Sequence, residues 1–241
     1  MILRELRALV CVLTALLALL VQNTSAEAQS FQEQLDQAGV AYQIPREGKA
    51  ILINIPAFEL IAFEEGEPVL RSRVIVGAPY HRTPRLETYV TSVRFRPTWR
   101  PTPSMIASGE YADYVRPPGE RNPLGLAAVR LQPGLLVYLH DTNRRELFEK
   151  EYRALSHGCV RVQQWDRLVA FVLGIELSRV HELANGTRTF DAPADPIPVT
   201  LGYFTRFPDP SGQVLEHPDI YGLNDQASLS ASNTAKNCGT G

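Results

Sequence analysis

Strand-forming runs separated by turn residues follow one another from Ala50 onward, and they constrain the fold of this chain more than any other feature. The runs AILINI, FELIAFEEG and VLRSRVIVG lie between residues 50 and 77, interrupted by Pro56 and by the turn Glu64-Glu65-Gly66. Apolar and polar residues alternate in residues 93–96, as expected when successive side chains point to opposite faces of a strand. The pattern predicts antiparallel strands joined by hairpins.

Short helices are predicted before and after these strands. Residues 31–39 form a polar and apolar segment typical of a leading helix. After residue 164 apolar residues recur at the spacing of one helix face, and Gly174 ends the predicted helix. These residues are Trp165, Leu168, Val169, Val172 and Leu173. A second helix is predicted over 177–186, and strands return at 196–207 and 212–217. The predicted fold class is therefore mostly β with short helices.

Residues 97–134 are rich in Pro and Gly and interrupt the strand pattern. The stretch is too irregular for a central strand, so we interpret it as a long excursion over the surface with one short helix near residues 105–114. Long loops of compact domains often cover or line a functional site, although surface decoration is the alternative. We call residues 97–134 the predicted cap.

Composition limits the size and the partners of the protein. The chain has 241 residues, of which 44% are hydrophobic and 21% charged, enough for one substantial domain with a core. Its 24 basic and 26 acidic residues give a net charge of −2. With no global positive charge, a nucleic-acid partner is disfavoured.

The two ends of the chain are predicted to lie outside the folded domain. Arg4 and Arg7 precede an apolar run, and Ala26-Glu27-Ala28 resembles a cleavage site, so residues 1–28 are interpreted as a cleaved signal peptide. The run is too short for a stable membrane span. Residues 29–49 are a lead-in segment, 50–224 the main domain, and 225–241 a small, polar tail predicted to be disordered.

Reactive side chains concentrate in YLHDT at 138–142 and SHGCVRV at 156–162. Cys159 can serve as a nucleophile if a nearby base or cation favours its thiolate. His140 and His157 are both available as that base. Gly158 permits a tight turn that directs backbone N–H groups at a developing oxyanion, and the following helix can add its dipole. Arg161 is a natural receptor for a carboxylate.

Each of these residues also has a structural interpretation. Cys159 can be a buried hydrophobe or, after export, can form a disulfide with Cys238, whereas Cys11 would be removed with the signal peptide. His140, His157 and Cys159 could bind zinc, but a fourth protein ligand with suitable spacing is missing, so no metal site is predicted. From the residues alone, a Cys/His acyl-transfer site is the favoured interpretation.

The spaced His140 and the run Ser156-His157-Gly158-Cys159-Val160-Arg161 together resemble the signature of the L,D-transpeptidase (YkuD) catalytic domain. Further similar words are VIVGAPYHRTP at 74–84, PTWRPTPSMIA at 97–107, YFTRF and DIYG, which extend the resemblance over residues 50–224. They are most similar to the subgroup typified by the proteobacterial enzyme YcbB. This chain has no room for that subgroup's peptidoglycan-binding module, and its cap is shorter.

The resemblance implies a β-sandwich or barrel with a short capping loop, and a role for each candidate residue. Cys159 is the nucleophile and His140, rather than His157, the proton acceptor and donor, with its ring oriented by a carbonyl such as that of Asp141. Gly158 and Cys159 supply oxyanion N–H groups. His157 is a substrate-positioning residue under this assignment. Independently of the resemblance, Ser156 and Arg161 are candidates for substrate contacts, and Trp99 is a candidate for a wall of the cleft, with core packing as the alternative.

The implied activity is transfer of a peptidoglycan stem tetrapeptide through a thioester, with loss of D-Ala and covalent capture by carbapenems. No cofactor is implied. The partners are peptidoglycan stem peptides, with a wall-linked lipoprotein as a further candidate, and the compartment is the periplasm. Hydrolysis of stem peptides or of wall-attached protein, a silent peptidoglycan-binding module and a zinc hydrolase are the alternatives.

Overall fold

The computed structural model of the protein describes residues 29–223. The predicted signal peptide, the predicted tail, Cys11 and Cys238 lie outside these residues. The described residues contain the following strands: β1 (Lys49–Asn54), β2 (Glu59–Glu64), β3 (Glu67–Gly77), β4 (Leu86–Phe95), β5 (Ala127–Leu131), β6 (Tyr138–His140), β7 (Ala154–Ser156), β8 (Val160–Val162), β9 (Phe190–Pro193), β10 (Pro198–Gly202), β11 (Arg206–Pro208) and β12 (Val214–Glu216). The helices are α1 (Phe31–Ala38), α2 (Pro103–Ala107), α3 (Trp165–Leu173) and α4 (Leu177–Ala184), with a 3-10 helix over Arg145–Glu149.

The main sheet closes on itself as a barrel. Its strands follow the order β10, β1, β2, β3, β8, β6, β5, β4, and β4 also pairs with β10. Closure leaves no unpaired edge along this ring. The fold is therefore mostly β with short helices, as predicted.

The prediction of antiparallel hairpins holds for β1–β2 and β2–β3 but not for every pair. Strands β1 and β10, β6 and β8, and β3 and β7 run parallel. Parallel neighbours need long connections, and which strands meet across them depends on packing. Local alternation in the sequence carries no information about this choice.

Strand β1 is buried on both faces, which explains its continuous apolar run. Ile51 and Ile53 point into the large barrel core. Ala50 and Leu52 point outward into a second apolar cluster, where Leu35 of α1 packs. Helix α1 begins with a capping box formed by Ser30 and Glu33 and ends at a left-handed Gly39. The lead-in segment thus contributes a helix that covers the barrel wall.

The irregular segment is shorter than the predicted cap (residues 97–134), because residues 127–131 form the central strand β5. Strand β5 pairs with β4 on one side and β6 on the other. The irregular part, which we call the observed cap, spans residues 97–126. Its helix α2 lies at 103–107, earlier than the predicted 105–114.

Helices α3 and α4 confirm the two helices predicted from periodicity. Helix α3 buries Trp165, Leu168, Val169 and Val172 and ends at a left-handed Gly174. Strand β8 lies between Cys159 and α3, so the helix begins six residues after the cysteine. Within residues 29–223, no helix is long and apolar enough to cross a bilayer.

Candidate active site

A partly open cavity lies where the observed cap meets the ends of β6 and β8. Six of the predicted site residues line it: Trp99, His140, Ser156, His157, Cys159 and Arg161. Its remaining walls come from Met105, Tyr111, Pro123 and Leu124. The structure therefore brings together residues separated by more than sixty positions in the chain.

The parallel pairing of β6 with β8 explains this convergence. His140 stands opposite Arg161, and Leu139 stands opposite Val160. Leu139 and Val160 are buried in the barrel core, so the alternating neighbours point to the other face. Cys159 packs on that face against Ala128 and Tyr138. His140, Cys159 and Arg161 thus share one face of two neighbouring strands.

His140 is buried and held by backbone carbonyls. Its Nδ1 contacts the carbonyl oxygen of Asp141, as the resemblance implied, and the Leu124 carbonyl is a second backbone partner of the ring. Burial, reinforced by the positive charge of Arg161, lowers the pKa of His140 to about 3. The imidazole is therefore neutral at physiological pH. With Nδ1–H donated to Asp141, its Nε2 carries the lone pair that can accept a proton.

Cys159 is buried, and backbone groups surround its sulfur. The N–H of Tyr138 donates to Sγ at 3.3 Å, and the Leu136 carbonyl lies 3.8 Å from it. The structure has Cys159 in a disulfide, so its sulfur can act as a nucleophile only after reduction.

Ser156 lines the cavity and also holds the turn that precedes Cys159. Its hydroxyl donates to the Cys159 carbonyl at 2.5 Å and accepts the Gly158 N–H at 3.1 Å. Gly158 has a φ of 111°, which favours glycine. The Gly158 N–H is therefore bonded to Ser156 in this structure. Its role in an oxyanion hole stays a prediction.

Arg161 is half-buried in the cavity wall. Burial, with a smaller contribution from the charge of Arg144, lowers the pKa of its guanidinium. Among the described residues, the guanidinium of Arg161 makes no hydrogen bond or ion pair. An arginine remains charged in proteins, so this buried cation is available to an anionic ligand.

His157 faces the cap instead of the sulfur. Its Nε2 lies 2.9 Å from Glu110 Oε2, and its ring stacks on His81 with centroids 4.7 Å apart. It also makes an edge contact with Tyr111. The assignment of the base to His140 rather than His157 stays a prediction.

Asp141 and Trp99 anchor the two ends of the observed cap. The buried Asp141 carboxylate accepts the Leu126 N–H at 2.9 Å and pairs with Arg145 at 2.9 Å, and burial raises its pKa. A Cβ on Gly125 would lie 2.3 Å from Asp141 Oδ2, so glycine is required there. Trp99 is both a cavity wall and a core residue, since it packs in a small cap cluster with Met105 and Leu124.

Several site residues could not be found from the sequence. Met105, Tyr111, Pro123 and Leu124 sit in an irregular segment without periodicity, and nothing local marks them as cavity residues. Thr83 also acts at the site: its hydroxyl donates to the Gly158 carbonyl at 2.8 Å and accepts the Gly77 N–H at 2.8 Å. Its only sequence signal was its place in the word VIVGAPYHRTP.

The model of the L,D-transpeptidase catalytic domain, YkuD, matches residues 48–199. This match covers more than half of the chain, and the protein therefore belongs to the L,D-transpeptidase catalytic domain family.

Relatives and solved structures carry the same description. A Haemophilus influenzae protein named "Putative L,D-transpeptidase" is 29% identical over 87% of this chain and 52% of its own length. The "Probable L,D-transpeptidase YbiS" of Escherichia coli K12 is 32% identical over 55% of this chain and 46% of its own length. The chain thus spans about half the length of the curated relatives it matches. The catalytic domain of an Enterococcus faecium L,D-transpeptidase acylated by ertapenem is 18% identical, with a TM-score of 0.38 over 64% of this chain and 97% of that one.

Proposed function

We propose that the protein is a periplasmic L,D-transpeptidase that forms peptidoglycan cross-links through a thioester on Cys159. The observation that carries the proposal is the shared cavity face of Cys159, His140 and Arg161. A buried sulfur, a neutral imidazole and an unpaired cation together match the needs of acyl transfer from an acidic peptide. Export by the predicted signal peptide would place the enzyme with its substrate.

In the first half-reaction, His140 takes the proton of the reduced Cys159 thiol, and the sulfur attacks the carbonyl between diaminopimelate and D-Ala. The C–N bond breaks, the proton passes to the leaving amine, and D-Ala departs. In the second, a side-chain amine of another stem peptide attacks the thioester carbonyl. His140 accepts the amine proton, and the thiol is regenerated as the C–S bond breaks.

The contacts of His140 support this role. A ring held by the Asp141 and Leu124 carbonyls keeps one orientation, and both acceptors stabilise the imidazolium once it forms. A thiolate at Cys159 would stabilise it further as an opposite charge. The low pKa of His140 in the disulfide form is therefore expected to rise on reduction.

Arg161 supplies the proposed contact to a stem-peptide carboxylate. Its charge is partly buried and forms no ion pair among residues 29–223, so binding an anion there would offset the cost of its burial. Two aromatic residues of the observed cap, Trp99 and Tyr111, form the apolar side of the same cleft.

The test is incubation of the purified protein, with reductant, with disaccharide-tetrapeptide muropeptides, followed by mass spectrometry. A dimer that has lost one D-Ala is expected from the unmodified chain and is expected to be absent with Cys159→Ala and His140→Ala. Ertapenem should add its mass to the unmodified chain but not to Cys159→Ala. The matched control is His181→Ala, which removes an exposed histidine paired with Asp166 and should leave activity unchanged.

Other products would redirect the proposal. Loss of D-Ala without dimers would indicate a carboxypeptidase, and release of a wall-linked protein would indicate a hydrolase. A disulfide at Cys159 that persists under reducing assay conditions, with no product, would contradict an enzymatic role and leave a peptidoglycan-binding module.

A further inference from the structure

Three side chains that can ligate a metal meet at the rim of the cavity. His81 lies in the loop between β3 and β4, Glu110 in the observed cap, and His157 in the turn before Cys159. One ligand atom from each lies within 4.8 Å of the others. His81 and Glu110 are exposed, so the cluster opens to solvent.

The side chains of this cluster are the kinds of ligand that a first-row transition metal prefers. Two imidazoles and one carboxylate are ligands that Zn²⁺ accepts, with metal–ligand bonds of about 2.0–2.2 Å. In a tetrahedral site such bonds separate the ligand atoms by about 3.4 Å. The 2.9 Å pair of His157 and Glu110 needs to open slightly, and the exposed His81 ring needs to approach.

Glu110 already pairs with one of the two histidines of this cluster. The ion pair to His157 is the one that Glu110 makes there. The possible zinc ligands named from the sequence are less suitable, because the ring of one of them, His140, is hydrogen-bonded to a backbone carbonyl. The other two are His157 and Cys159. The new set shares only His157 with these three.

We propose that His81, Glu110 and His157 form a binding site for a divalent transition-metal ion, represented by Zn²⁺, with water at the fourth position. The ion would join the cap, the β3–β4 loop and the turn that carries Cys159. Binding therefore restrains the cap over the cavity and lowers turnover. This last consequence rests on the proposed function, whereas binding itself does not.

Binding is tested with Zn²⁺ alone, by competition against a chromogenic chelator at neutral pH. The protein carries Cys159→Ser, which removes the thiol as a ligand. One Zn²⁺ per chain is expected. His81→Ala and Glu110→Gln should each weaken binding about tenfold or more, since loss of even a group that supports a ligand costs 10–100-fold. His181→Ala, a histidine paired with Asp166 outside the cluster, is the matched control and should bind normally.

Two results would overturn the site. One is an affinity that is unchanged by both His81→Ala and Glu110→Gln. The other is equal binding of Mg²⁺, because that ion prefers oxygen ligands in octahedral geometry and should not occupy a site with two imidazoles.

The effect on turnover is tested separately with Cys159 intact. Zn²⁺ should inhibit the unmodified chain, while His81→Ala should keep its basal activity and need about tenfold more Zn²⁺ for the same inhibition, matching its weaker binding. Equal inhibition of both would contradict the cap mechanism and point to metal on the Cys159 thiol. Absence of activity in both, with normal Zn²⁺ binding, would contradict the proposed function and leave the metal site supported.

Discussion

Burial of His140 links the protonation of the candidate base to the stability of the fold. Its pKa in the folded chain is about 3, below the ordinary 6.5, because burial disfavours the charged ring. The unfolded chain therefore binds a proton between these values that the folded chain does not. The contribution of a neutral His140 to stability is present above pH 6.5 and is lost as the pH falls toward 3.

We expect this pH dependence to disappear when the ring is removed. In a Cys159→Ala background, the difference in unfolding free energy between the His140 protein and His140→Gln should change by about 1.4 kcal/mol per pH unit below 6.5, to the disadvantage of histidine. Denaturant unfolding at pH 7.5, 6 and 5 measures it. Burial raises the pKa of Asp141, which makes the folded chain more stable as the pH falls. Taking the difference between the two proteins removes this contribution, because both contain Asp141. A difference that stays constant with pH would contradict the buried neutral ring.

The identities of the reactive residues were predictable because they lie in short, contiguous words. SHGC is a local pattern, and His140 lies in the short run YLHDT. The partners that these side chains use were not predictable, because hydrogen bonds such as Ser156 to Gly158, or Thr83 to Gly158, depend on backbone directions that only the folded turn defines.

At the level of elements, the loop between β3 and β4 supports the turn before Cys159 through one hydroxyl. Thr83 is buried and joins the Gly77 N–H to the Gly158 carbonyl. Thr83→Val leaves both groups without that partner, and a buried unsatisfied group costs about 1–3 kcal/mol. We expect a loss of unfolding free energy of about that size and a lower kcat.

A second threonine provides the matched control. The Thr88 hydroxyl is buried in β4 with no hydrogen-bond partner among the described residues. Thr88→Val should therefore be neutral or slightly stabilising in the same denaturant titration. Equal losses for Thr83→Val and Thr88→Val would show that the hydrogen bonds of Thr83 do not matter.

One buried amide, that of Asn122, joins separate parts of the observed cap. Asn122 donates to the carbonyls of Pro97 at 2.8 Å and Pro117 at 3.1 Å and accepts the Leu124 N–H at 2.9 Å. Asn122→Ala removes these bonds at once. We expect rapid proteolytic cleavage within residues 97–126 while the barrel stays intact.

Limited proteolysis with mass mapping measures this, and Glu120→Ala, an exposed residue of the same segment, is the control. Cleavage elsewhere, or at equal rates in both variants, would contradict a role of Asn122 in closing the cap.

Strand β5 directly follows this segment and was missed in the sequence, because Pro and Gly surround its short AAVRL run. Pairing on both sides makes it a central strand.

At the level of the whole molecule, helix α1 belongs to the same folding unit as the barrel, although the family match begins only at residue 48. Leu35 is fully buried against the outer face of the wall. Leu35→Ala should lower the unfolding free energy by about 2–5 kcal/mol in one cooperative transition. Val69→Ala, at a side chain that is 52% exposed, should change it little. A separate early transition for α1 would contradict a single unit.

The sequence by itself determined the strand-rich class, the helices with clear periodicity and the reactive words, because each is encoded in neighbouring residues. The tertiary structure alone decided that β6 lies parallel to β8, which brings His140, Cys159 and Arg161 to one face. It also decided that Glu110 and His81 meet His157. These contacts join distant parts of the chain, and their free energy comes from burial and closure of the whole barrel, which no local pattern contains.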